Sequence, residues 1–105
     1  MVCIMCMVGN DYQRILDGVE YWGREEKIEN LYLLYDNKPD KYGFVSQANV
    51  KELVRAFSPR YRKPNTIECN PQDFSNVFCI LYPILCREVE QLRRQVIIDA
   101  TSTTK

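Results

Sequence analysis

Four short apolar runs divide the chain, and a polar stretch follows each of them. The runs extend from Val2 to Val8, from Glu29 to Tyr35, from Asn65 to Cys69 and from Val96 to Ile98. Apolar runs of this length, with little alternation, are typical of strands buried on both faces of a parallel sheet. We therefore predict four strands.

Helical periodicity separates these strands. The first interval repeats apolar residues at Tyr12, Ile15, Leu16, Val19 and Trp22, and the second repeats them at Val50, Leu53, Val54 and Phe57. A spacing of three and four residues places each set on one face of a helix. The third interval, up to about Arg94, is apolar on more than one face in its middle, which predicts a long helix that needs more cover than the sheet alone.

Candidate caps set the expected starts of the helices. Asn10, with Gln13 three residues later, resembles a capping box, and Ser46 is a suitable cap for the second helix. The segment 36–44 is then expected to be a polar surface loop. Asn70 followed by Pro71 combines an N-cap residue with a proline at the first helical position.

The alternation of strands and helices predicts one α/β domain over residues 1–105. We expect a Rossmann-like, three-layer α/β/α arrangement around a parallel sheet, with the strand order 3-2-1-4. In that order the chain reverses direction between strands 1 and 4, and a crevice opens at their carboxyl ends. Strand 4 then lies at an exposed edge, which favours association of the chain.

Two loops would flank this crevice, and both suit an anion. The first combines a glycine with the start of a helix, and the second offers four hydroxyls and one ammonium group after a buried strand. Free backbone N–H groups and hydroxyls at such places bind phosphate. The candidate ligand-binding residues are Gly9, Asn10 and Asp11 of the first loop and Thr101, Ser102, Thr103, Thr104 and Lys105 of the second.

The balanced charge of the chain and its lack of targeting signals restrict the kinds of partner that we expect. Lys plus Arg and Asp plus Glu both number 14, so no net field attracts the chain to duplex nucleic acid or to a membrane surface. No apolar run is long enough to span a bilayer, and the start lacks the features of a signal peptide. We expect a cytoplasmic protein without a membrane partner.

The cysteines do not form a recognisable metal or disulfide pattern. Five cysteines accompany no histidine, which excludes Cys/His zinc sites and argues against a disulfide framework. Cys3 and Cys6 match C-x-x-C, but inside a strand they point to opposite faces. Cys79 and Cys86 share a helical face and are interpreted as small core residues. We therefore expect no metal and no cofactor.

Three segments resemble one known family, the CRISPR-associated Rossmann fold domains that sense cyclic oligoadenylate. The run Gly9 to Ile15 is similar to that family's first loop, and Asn30 to Leu34 resembles its second strand. Ile97 to Lys105 resembles the strand followed by Thr-Gly-Gly-Thr-Lys, although Ser102 and Thr103 replace the two glycines. The resemblance implies a sensor domain that binds a cyclic oligoadenylate as a homodimer and is normally coupled to an effector or DNA-binding domain. The chain would match its N-terminal part, or a shortened relative.

Other functions remain open at this point. Some members of the family cleave their ligand without metal, so a ring nuclease is one alternative, in which Lys105 would stabilise charge on the phosphate. Asp11, Asp36 and Asp99 are candidate Mg²⁺ ligands near strand ends. The cluster Arg55 to Lys63, which includes Tyr61, has the composition of a single-stranded nucleic-acid site or of a solvated helix end. A non-catalytic assembly module is the last alternative.

Overall fold

The computed structural model describes residues 1–100 of the 105-residue chain, and strands alternate with helices throughout. The elements are β1 (Val2–Val8), α1 (Tyr12–Glu25), β2 (Ile28–Asp36), α2 (Lys41–Phe57), β3 (Asn65–Cys69), α3 (Phe74–Leu85) and β4 (Gln95–Asp99). A π-helix, Cys86–Gln91, joins the end of α3 to the segment before β4. The four predicted strands are thus confirmed to within two residues at each end.

The sheet is entirely parallel and has the strand order β3-β2-β1-β4. Met5 of β1 lies between Tyr32 of β2 and Ile98 of β4, so β1 is central and fully enclosed. The predicted α/β class and strand order are confirmed. The expected edge position of β4 is confirmed as well, because within residues 1–100 β4 pairs with β1 alone.

The two faces of the sheet bury different sides of each strand. Ile4, Cys6 and Val8 of β1 pack with the buried residues of α1 and α2 on one face. Cys3 and Met5 pack on the other face, where α3 supplies Ile80, Leu81, Ile84 and Leu85. Cys3 and Cys6 therefore lie on opposite faces, as expected from the alternation of side chains along a strand.

All three helix starts differ from the caps proposed from the sequence. The N-caps are Asp11, Asp40 and Asp73, and each carboxylate accepts a hydrogen bond from the backbone N–H three residues later. Asn10 and Asn70 are thus not N-caps. The Asn70 carbonyl oxygen of the side chain instead accepts from the N–H of Gln72, which forms a turn before α3.

The second helix shows the largest difference. The segment 36–44 was expected to be a loop, but α2 begins at Lys41, five residues before the proposed cap Ser46. Ser46 lies inside the helix and is only 1% exposed. Its side chain bonds to the sheet rather than to the start of the helix, because the inward face of α2 includes this position.

The third helix also differs from the prediction. It is α-helical only to Leu85, and the π-helix ends at Gln91 rather than near Arg94. Cys79 is exposed, so its interpretation as a core residue was wrong. Nothing in the described part of the chain forms a helix long and apolar enough to cross a membrane.

A buried ion pair holds the connection between the π-helix and β4. Glu88 is fully buried, and Nη1 of Arg94 lies 3.1 Å and 3.3 Å from its two carboxylate oxygens. Arg93 between them has φ of 55°, in the left-handed region, and the N–H of Arg94 donates to the carbonyl of Glu88. These contacts place Gln95 opposite Val2, where the pairing of β4 with β1 begins.

Candidate functional site

A cleft of about 570 Å³ lies at the carboxyl ends of the strands, and we call it the carboxyl-edge cleft. Its floor is apolar, and its volume is in the range of about 300–1,000 Å³ that is usual for small-molecule sites. The lining residues are Met7, Val8, Gly9, Asn10, Leu34, Asp36, Lys41, Tyr42, Val45, Ser46, Cys69, Pro71 and Gln72. Three strand ends and the first two turns of α2 thus meet in one concavity.

Side chains of α2 hold the β1 end of the cleft in place. The Ser46 hydroxyl donates to the carbonyl oxygen of Val8 at 2.7 Å and accepts from the N–H of Asp36 at 2.9 Å. Nδ2 of Asn49 donates to the carbonyl oxygen of Gly9 at 2.7 Å. The ends of β1 and β2 are therefore tied to the same helix, which gives the cleft a rigid wall.

Lys41 and Tyr42 supply the polar and aromatic groups of the mouth. Both are exposed at the start of α2, and the Tyr42 side chain is 74% exposed. Lys41 forms no ion pair within residues 1–100. The positive end of the α2 dipole lies at the same place, so the mouth is suited to an anion with a flat ring.

The acidic groups near the cleft are engaged by the chain itself. Oδ1 of Asp40 accepts from the N–H of Gly43, and Oδ1 of Asp36 accepts from the N–H of Lys38, both at 2.9 Å. Nζ of Lys38 donates to Gln72 at 2.6 Å across the rim. Burial, and to a smaller extent the nearby charge of Asp36, raises the pKa of the Cys69 thiol. Cys69 is therefore a neutral wall of the cleft and not a nucleophile.

The structure brings together only some of the ligand residues proposed from the sequence. Gly9 and Asn10 line the cleft, and Asn10 is exposed there. Asp11 caps α1 instead, and its carboxylate lies 3.1 Å from Nε of Arg14. The second proposed loop lies outside the described residues; it comprises Thr101, Ser102, Thr103, Thr104 and Lys105.

Lys41 and Tyr42 were missed because the segment 36–44 was interpreted as a loop. Asp40 follows Pro39 and precedes an apolar pattern, which is a possible N-cap signal at this position. An earlier start of α2 would have placed both residues at the carboxyl edge of the sheet.

The structure also describes the two alternative sites proposed from the sequence, the magnesium site and the basic cluster Arg55 to Lys63. Among residues 1–100 no group of three acidic, cysteine or histidine side chains could hold a metal ion, so Asp11, Asp36 and Asp99 do not form a common site. In the basic cluster, Arg55 pairs with Glu52 at 2.9 Å, and Arg60 lies over the ring of Tyr61.

A second cleft of about 470 Å³ lies beside α2 and the edge strand β3. Lys51, Lys63 and Thr66 are among its lining residues. Pro64 and Thr66 of its lining lie at the amino end of β3, and Tyr35 is the one lining residue near a carboxyl strand end. The carboxyl-edge cleft is therefore the better candidate, since ligands of parallel α/β sheets bind outside the carboxyl ends of the strands.

The fold and the cleft define a parallel α/β domain with a ligand-sized concavity at the carboxyl edge of its sheet. No protein-family model matches the chain, and no curated protein matches it either.

Proposed function

We propose that the chain is a sensor domain whose carboxyl-edge cleft binds a cyclic oligoadenylate, as the resemblance in its loops implies. The observation that carries the proposal is that Lys41 and Tyr42 line the same cleft at the strand ends as Gly9 and Asn10. An ammonium group and a helix N-terminus suit a phosphate. An exposed tyrosine ring suits an adenine base, because stacking on aromatic side chains is the usual way of holding an unpaired base.

Binding without cleavage fits the residues better than catalysis. The chain contains no histidine, and the thiol at the cleft, Cys69, has a raised pKa and stays protonated. The acidic groups Asp36 and Asp40 accept backbone hydrogen bonds. The described part of the cleft thus offers recognition groups, and a ring nuclease would depend on Lys105 as proposed from the sequence.

Calorimetric titration with cyclic and linear oligoadenylates tests the proposal. Lys41→Ala is expected to weaken binding by more than about tenfold, since a hydrogen bond to a charged group contributes about 1.5–3 kcal/mol. Tyr42→Ala should cause a similar loss, because stacking contributes about 1–3 kcal/mol per base. Asn10→Ala should have a smaller effect, and Thr101→Ala and Lys105→Ala should also weaken binding if the second loop contacts phosphate.

Two variants on the same helix serve as controls. Lys51→Ala removes an exposed ammonium group outside the cleft, and Phe44→Ala removes an exposed ring that does not line it. Neither should change the affinity. Absence of binding by the unmodified chain would refute the sensor proposal, and equal losses in control and cleft variants would place the ligand elsewhere. The same titration gives the stoichiometry, and one ligand per two chains is expected if a homodimer shares one symmetric ring.

A further inference from the structure

The second cleft, of about 470 Å³, is lined by charge of one sign, and we call it the α2–β3 cleft. Lys51 of α2 and Lys63 just before β3 line it, and no acidic residue of the described chain does. Neither ammonium group forms an ion pair within residues 1–100. A cleft with charges of one sign and apolar walls concentrates ions of the opposite sign, so this cleft attracts anions.

The same cleft has an apolar base. Val50 and Pro64 are buried, and Val54 and Tyr35 are half-buried. Val50, Val54 and Tyr35 also belong to the hydrophobic core between the helices and the sheet, so packing holds the base in place. An apolar group that rests on this base is removed from water, which favours its binding.

Neutral polar groups complete the lining. Thr66 of β3 is exposed there, and Gln47 of α2 is held by hydrogen bonds from its Nε2 to two backbone carbonyl oxygens, at 3.3 Å and 3.4 Å. Burial is the main cause that raises the pKa of Tyr35, so its hydroxyl stays protonated. A protonated hydroxyl is a hydrogen-bond donor, and an anion accepts from such donors.

We propose that the α2–β3 cleft binds a small organic anion. Lys51 and Lys63 hold its phosphate or carboxylate group, and its apolar body lies on the base that Val50, Val54 and Pro64 form. The volume of the cleft is within the range of about 300–1,000 Å³ for small-molecule sites. The α2–β3 cleft and the carboxyl-edge cleft share no lining residue, so this site does not depend on the function proposed above.

Single-stranded nucleic acid fits this surface less well, although basic residues surround the cleft. Arg55 pairs with Glu52 at 2.9 Å, Arg62 lies 3.9 Å from Glu29, and Arg60 lies over a tyrosine ring. A nucleic-acid strand requires a positive groove that follows its backbone over several nucleotides. Here the two unpaired ammonium groups belong to one cleft, and this local charge suits a small ligand.

Titration of the isotope-labelled chain with phenyl phosphate, followed by the NMR signals of the backbone amides, tests the proposal. We expect saturable shifts concentrated at residues 47–54 and 63–66, with a dissociation constant of about 1 mM or below. Benzoate distinguishes recognition of a carboxylate from that of a phosphate. Phenol lacks the charge and inorganic phosphate lacks the apolar body, so both should bind at least about fivefold more weakly.

Four variants separate the charges from the shape of the cleft. Lys51→Ala and Lys63→Ala should each weaken binding of phenyl phosphate by about three- to tenfold, because each removes a charged donor. Thr66→Tyr fills the cleft and should abolish binding with both lysines in place. Arg55→Ala is the matched control: it removes a positive charge one turn further along α2, outside the lining, and should leave the affinity unchanged.

Circular dichroism establishes that each variant is folded. If Thr66→Tyr does not fold, the double variant of the two exposed lysines replaces it and should abolish binding. Absence of saturable shifts at millimolar phenyl phosphate, shifts confined to the carboxyl-edge cleft, or equal affinity for inorganic phosphate would each overturn the proposal. Tighter binding of a short single-stranded oligonucleotide, weakened equally by Arg55→Ala and Lys51→Ala, would assign the surface to nucleic acid instead. None of these results bears on the oligoadenylate titration, whose cleft residues are different.

Discussion

Ser46 shows how one buried hydroxyl connects three elements. It lies in α2, accepts from the N–H of Asp36 at the end of β2 and donates to the carbonyl of Val8 at the end of β1. Both backbone groups lie at the carboxyl edge of the sheet, where the ladder no longer satisfies them. The hydroxyl therefore replaces hydrogen bonds that the strand ends have lost.

Replacement of this hydroxyl should destabilise the fold. Ser46→Ala leaves the carbonyl of Val8 and the N–H of Asp36 without their partner, and an unsatisfied buried polar group costs about 1–3 kcal/mol. The free energy of unfolding, measured in urea, should decrease by this amount. Ser58→Ala is the control: its hydroxyl bonds to the Val54 carbonyl at the exposed end of α2, and its loss should cost less than about 0.5 kcal/mol. An unchanged urea midpoint for Ser46→Ala would contradict this account.

At the scale of elements, the first turn of α2 packs closely on the loop before it. A Cβ on Gly43 would lie 1.9 Å from the carbonyl oxygen of Lys38, and Gly43 is buried. This close approach allows Asp40 to cap the helix while Lys41 and Tyr42 reach the cleft. A glycine is required here for space and not for an unusual φ angle, because no glycine has positive φ among residues 1–100.

Gly43→Ala should therefore destabilise the protein in spite of alanine's higher helix propensity. The gain of about 1 kcal/mol from propensity is opposed by displacement of a backbone carbonyl, and we expect a net loss of about 1–3 kcal/mol. Gly18→Ala in α1 is a matched comparison, because its Cβ would meet only the carboxylate of Asp99, which can move. Thermal unfolding should show a lower midpoint for Gly43→Ala alone. Equal midpoints for the two variants would be evidence against the packing argument.

At the scale of the whole molecule, burial of thiols couples folding to alkaline pH. Burial, together with a hydrogen bond to Glu88, raises the pKa of Cys3 from 9.0 to about 12. Burial also raises the pKa of Cys6. Above pH 9 the unfolded chain releases protons that the folded chain retains, so this contribution to stability is complete below pH 9 and decreases as pH rises towards 12.

The free energy of unfolding of the unmodified chain should therefore decrease steeply above pH 9, which is the ordinary pKa of a cysteine thiol. Cys3→Ala should reduce this slope by about one proton, or about 1.4 kcal/mol per pH unit. The measurement is urea unfolding at a series of alkaline pH values. Cys79→Ala, which removes an exposed thiol instead of a buried one, is the comparison variant. A slope that is the same with and without Cys3 would show that other groups cause the decrease.

The sequence by itself determined the strands, their parallel arrangement and their order. Unbroken apolar runs are stable only between two covered faces, and short right-handed connections leave few topologies for four such strands. It also predicted that Gly9 and Asn10 belong to a site at the strand ends, because a parallel sheet brings these ends to one edge. The function of the cleft remains a proposal.

Only the tertiary structure decided where the helices begin and what surrounds the cleft. The actual N-caps, Asp11, Asp40 and Asp73, lie within six residues of the caps proposed from the sequence. Which of the nearby polar residues caps a helix depends on where the chain turns to pack on the sheet. Ser46 is a good cap by composition, yet the packing of α2 turns its hydroxyl to the strand ends. The exposure of Phe74, Phe78 and Tyr82 on α3 has the same origin. The sequence predicts an apolar helix, but the arc of that helix which faces the sheet, and hence the arc left exposed, depends on contacts between residues far apart in the chain.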